Sequence, residues 1–115
     1  MLAFLVQVSY TSSAWSALVR DPQNRLDIMR PIIENLGGKI ENAFLAFGDF
    51  DVIGIIQLPD NASAAALSMA MMAGGGITKV KTVALMTWNE GVEAMKQAKK
   101  AAYKPPQADP MLDRS

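Results

Sequence analysis

A chain of 115 residues has room for one hydrophobic core and is too short for two domains of ordinary size. Eleven basic against eleven acidic side chains leave a net charge of zero, which argues against a nucleic-acid partner, because neutralising phosphates takes a surplus of Lys and Arg. With neither cysteine nor histidine the chain lacks a disulfide framework, a thiol nucleophile and the commonest transition-metal ligand, so triads, zinc sites and ordinary haem ligation drop out and a reducing cytoplasm is the expected compartment.

The apolar opening, Met1 to Val8, lacks the basic region of a signal peptide and alternates like a strand. Leu2 to Tyr10 is the first predicted strand, with Leu2, Phe4, Val6, Val8 and Tyr10 on one face and Ala3, Leu5, Gln7 and Ser9 on the other. Thr11 to Ser13 breaks the pattern. Asp21-Pro22 reads as a helix start, followed by Leu26, Met29, Ile33 and Leu36 at helical spacing. Pro31 falls inside that run, where it removes a hydrogen bond and is expected to kink or split the helix; Gly37-Gly38 ends it.

Two strands, about Lys39 to Phe47 and Phe50 to Leu58, flank Gly48-Asp49, which suits a two-residue type II′ hairpin. Asp60 or Asn61 caps an alanine-rich helix running to Ala73, and Gly74 to Gly76 stop it. A fourth strand, Ile77 to Met86, leads into Thr87 and Glu90, spaced as a capping box for a last helix. No stretch approaches the roughly 20 apolar residues of a membrane span, so no membrane partner is expected. The proline-containing tail from Lys104 to Ser115 is expected to be disordered, leaving residues 1–103 as the folded domain.

The order β-α-β-β-α-β plus a helix is the α+β, ferredoxin-like split arrangement. Helices cover one sheet face, assigned to Phe4, Val6 and Val8 with Phe50, Val52, Ile56 and Leu58. The other face carries Leu5, Ile53, Ile55, Val83 and Leu85, too apolar for a solvated surface. A second copy of the sheet is its simplest cover, giving a homodimer or an assembly of dimers with sheets paired in a dimeric α/β barrel arrangement.

Leu36-Gly37-Gly38-Lys39, Gly48-Asp49-Phe50-Asp51-Val52 with the strand ending at Pro59-Asp60, and the alanine-rich helix leading to Ile77 resemble the GYD-domain family over about Leu2 to Ala102. The resemblance implies a ferredoxin-like sandwich able to pair its sheets and carries no established activity. The family's tyrosine is Phe50 here, so a hydroxyl at that position has no role in this chain.

Gln7, Asp51, Ile53 and Lys81 form the candidate interface or polar site on the second face, where Asp51 could pair with a lysine across an oligomer contact; a plain hairpin role for Gly48, Asp49 and Asp51 is the favoured alternative. Tyr10, Trp15 and Met72 are the candidate ligand-binding residues, bordering an apolar cavity between the sheet and its helices; closing the core is the equal alternative for the aromatic pair, and plain core packing is the favoured one for Met72 with Met69 and Met71. Gly74 to Gly76 follow a helix and precede a strand, so they act as a helix stop rather than a phosphate cradle, and the lysines from Lys96 to Lys104 read as a solvated basic helix end. No catalytic residue, metal or cofactor is assigned. The favoured function is a non-catalytic oligomeric module binding a small apolar molecule or a protein; the alternative is a cofactor-independent monooxygenase or isomerase, by analogy with other paired ferredoxin-like sheets.

Overall fold

The computed structural model describes residues 1–107, which divide into two compact units, Met1–Leu85 and the segment from Met86 onward. In the first, β1 (Leu2–Tyr10), α1 (Ser12–Arg20), α2 (Arg25–Asn35), β2 (Lys39–Leu45), β3 (Val52–Leu58), α3 (Asn61–Gly74) and β4 (Ile77–Leu85) follow one another. The sheet is open and fully antiparallel, in the order β2-β3-β1-β4, with β1 and β3 central as a ferredoxin-like topology requires. The second unit contains α4 (Trp88–Ala101), opened by the expected capping box: Thr87 Oγ1 accepts from the Glu90 N–H, and Glu90 Oε1 accepts from the Thr87 N–H, each at 3.1 Å. No helix among the described residues is long and apolar enough to cross a membrane. Residues 104–107 are irregular, and the remainder of the expected tail, 108–115, lies outside the described residues.

Register explains the two sheet faces. Phe4 pairs with Ile56, Val6 with Gly54 and Val8 with Val52, so these side chains rise from one face. Phe4, Val6, Val8, Ile56 and Leu58 are buried there with Ile33 of α2 and with Ala64 and Leu67 of α3, forming the core. On the other face Leu5 pairs with Ile55 and Val83, and Gln7 with Ile53 and Lys81. Leu5, Ile53 and Val83 are half-buried, while Ile55 and Leu85 are exposed. Glu41 is an extra residue in β2, because Ile40 pairs with Ile56 and Asn42 with the adjacent Ile55, so this edge strand is bulged.

Four local expectations are corrected. The segment after β1 is helical: Thr11 Oγ1 accepts from the Ala14 N–H at 3.0 Å and opens α1, whose Trp15 and Leu18, three residues apart, share a face. Asp21, expected to begin a helix, instead ends α1, its N–H bonded to the Ala17 carbonyl, and Asn24 caps α2 by accepting from the Leu26 N–H. Of the kink or split expected at Pro31, the split does not occur, since α2 runs unbroken from Arg25 to Asn35; Pro31 and Asp27 are both exposed, so water can serve the Asp27 carbonyl that loses its donor.

The hairpin at Gly48 is not a two-residue turn. Leu45 and Val52 form the last pair, and residues 46–51 make a six-residue loop closed by Ala46 N–H donating to the Asp51 carbonyl at 2.8 Å. Gly48 lies outside the left-handed region that a type II′ turn demands of its first central residue. Strand alternation therefore ends at Val52, and the expected facing of its two predecessors is reversed. The Asp51 carboxylate turns to α1, and the Phe50 ring lies 4.6 Å from Lys79 Nζ, a residue of the open face.

Candidate functional site

Asp51 is the joint on which the site is built. Its N–H donates to the Val8 carbonyl at 2.8 Å, which extends the central pairing by one residue past Val52. Its Oδ2 accepts two hydrogen bonds, from the Tyr10 backbone N–H at 2.8 Å and from Trp15 Nε1 at 3.2 Å. The first of these donors is free because Tyr10 lies beyond Val8 and Val52, the last pair between β1 and β3. The second fixes the indole, which meets the Tyr10 ring edge-on with centroids 5.4 Å apart at 89°. Ser9 Oγ adds a bond to the Asp49 carbonyl at 3.0 Å, so the loop is pinned to β1 on both sides of Phe50.

Above this joint lies a cavity of about 800 Å³ between the sheet and helices α1 and α2. Tyr10 and Trp15 form one end of it; Leu18 of α1 and Met29 and Ile33 of α2 form its roof. Its floor is hollow for a reason visible in the register: Gly54, at the middle of β3 between Val52 and Ile56, pairs with Ala43 of the edge strand. Two of the smallest residues adjoin where large ones would fill the space. A Cβ built on Gly54 would meet only the Asn42 carbonyl and Ala43 Cβ at ordinary contact distance, so the hollow does not follow from a forced backbone approach. A second cavity of about 320 Å³, reaching Leu67, Met71 and Ile77, adjoins it across Tyr10, Met29 and Val52.

The structure thus brings Tyr10 and Trp15 together and adds Asp51 to them. Met72 lines neither cavity and is half exposed; its neighbour Met71 lines the smaller one. Gln7, Ile53 and Lys81 share one row of the open face, but Asp51 is absent from that row, because both its bonds lead to β1 and α1. Gly54 could have been noticed in the sequence, since a lone glycine inside a strand pattern signals a bulge or an unfilled approach. Leu18 and Met29 carried no signal beyond helical periodicity, and Leu18 was hidden by the missed helix. The described residues hold no cluster of three acidic, histidine or cysteine side chains able to bind a metal.

The sequence model of the GYD domain matches residues 4–98 of the chain. The chain belongs to the GYD-domain family. No curated protein and no solved structure matches it. In this GYD domain the signature segment from Gly48 to Val52 is a structural junction: Asp49 offers a carbonyl to Ser9, Phe50 carries Lys79, and Asp51 ties β1 to α1.

Proposed function

We propose that this GYD domain is an oligomeric binding module whose ligand is a small apolar or amphipathic molecule seated between the sheet and helices α1 and α2. The observation that carries the reading is the cavity of about 800 Å³ over the Gly54–Ala43 hollow, within the size range of pockets that enclose drug-sized ligands. Its walls are mainly aliphatic and aromatic, with the Tyr10 hydroxyl among the few polar groups that can orient a guest. Asp51, the carboxylate nearest Tyr10 and Trp15, already serves two donors through Oδ2, and that occupancy favours a positioning role over proton transfer. The apolar open face, with Leu5, Ile55 and Val83 in one row, supports pairing with a second copy of the sheet.

The test is a titration of aliphatic and aromatic acids and alcohols against tryptophan fluorescence in a Trp88→Phe background, so that Trp15 is the reporter. Wild-type sequence at the cavity should respond saturably. Gly54→Val, which places a strand-favouring side chain in the hollow, should remove the response while the protein stays folded by circular dichroism. A Gly54→Val protein that binds as well as its parent would move the ligand elsewhere and end the proposal.

A further inference from the structure

The two cavities share Arg25 as well as the three residues between them, and among the described residues Arg25 is the one charged side chain lining either. Arg25 makes no ion pair among the described residues, where the salt bridges are Lys39 with Glu41 and Lys96 with Glu93. Asp27, the next acidic residue on α2, is two positions along and does not share its helix face. The first-turn N–H groups of Leu26 and Asp27 are both taken by Asn24, at 2.9 and 3.2 Å, so the guanidinium is the larger open donor set at this end of α2. Arg25 is exposed, and its fork of donors is therefore available at the rim of an otherwise neutral, mainly apolar space.

A neutral apolar ligand would gain nothing from that placement. A ligand with an apolar tail and a single negative headgroup uses both parts: the tail displaces water from the walls, and a planar carboxylate meets the guanidinium through two parallel hydrogen bonds. We infer that the ligand class is an amphipathic monocarboxylate, aliphatic or aromatic in its tail, bound with its headgroup on Arg25. This deepens the binding proposal above and rests on it. One cationic side chain matches one negative charge; a dianionic phosphate would leave charge uncompensated among the neutral neighbours Gln23 and Asn24.

Matched pairs separate headgroup from tail: octanoate with octanol, and phenylbutyrate with phenylbutanol, titrated by calorimetry into the full chain and its Arg25→Gln variant. Arg25 is an exposed first residue of α2, so the substitution should leave folding intact, which circular dichroism checks. At least one carboxylate should lose about tenfold or more in affinity in the variant, the scale of one hydrogen bond to a charged group, while its alcohol changes by less than about twofold. Arg25→Lys should fall between, and added salt should weaken the carboxylate selectively. Binding of acids and alcohols alike, unchanged by Arg25→Gln, would overturn the headgroup assignment and leave the cavity reading standing. Octyl phosphate binding more tightly than octanoate would overturn the carboxylate class. No binding of any of the four compounds would overturn the cavity reading itself.

Discussion

Replacing Asp51 with alanine should loosen the whole cavity end at once, because one oxygen holds both the Tyr10 backbone and the Trp15 indole. A hydrogen bond to a charged acceptor is worth about 1.5–3 kcal/mol, but Asp51 is only half-buried and water can replace part of what is lost. Taking about 1 kcal/mol for each of the two bonds gives a loss of about 2 kcal/mol. For a domain of this size that corresponds to a fall in Tm of about 10 °C. Asp51→Asn keeps an acceptor oxygen of the same reach and forfeits only the charge, so it should cost about half as much. Thermal and urea unfolding at one fixed protein concentration measure both, since assembly would otherwise couple stability to concentration. Near-ultraviolet circular dichroism of the Tyr10–Trp15 pair should weaken in Asp51→Ala and persist in Asp51→Asn. An Asp51→Ala protein within about 0.5 kcal/mol of wild type, or an asparagine variant as damaged as the alanine one, would refute the clamp.

Ile53→Lys should reduce the assembly to monomers by light scattering, with little loss of monomer stability because a lysine there can extend its charge to water; an unchanged mass would refute pairing through this face. Gly38→Ala should destabilise by at least about 2 kcal/mol in urea unfolding, since its Cβ would collide with the Gln57 backbone carbonyl and the fully buried Leu58. The Asp60 carboxyl is held below its ordinary value, first by the Ser63 hydroxyl and then by the Ser63 N–H. A depressed folded-state value means that the stabilisation is complete above the ordinary carboxylate range and is lost as pH falls through the lower folded value. The Tm difference between wild type and Asp60→Asn should therefore be constant near neutral pH and shrink below about pH 4; a difference that does not change with pH would refute it.

The core was readable from alternation alone, because Phe4, Val6, Val8, Ile56 and Leu58 face inward in the register their spacing implied. The cap at Thr87 and the helix stop at Gly75 were equally plain, each depending on chemistry within four residues. The site was legible only in its aromatic members. Asp51 was placed on the wrong face because alternation was extended into a loop, where a tertiary bond to Trp15, thirty-six positions away, decides the direction. Helix α1 was missed because Asp21-Pro22 offered a stronger start signal than Thr11, though Pro22 in fact lies between two helices. Arg25 could not be singled out in the sequence, because what distinguishes it lies in space: among the described residues, no other charged side chain lines the two cavities it borders.

The extra residue in β2 bears on how copies of this chain can and cannot meet. An open sheet has two lateral borders with unpaired amides and carbonyls, and a long flat border invites another strand to dock and propagate into fibres. At one border the insertion at Glu41 breaks the spacing of those groups, and Lys39 and Glu41, 3.3 Å apart, place opposite charges beside it. At the other, Lys79 and Lys81 would confront the same charges on an identical neighbour pairing in register. Both borders thus resist runaway strand addition, which leaves the apolar open face, rather than an edge, as the surface on which a second copy would pair.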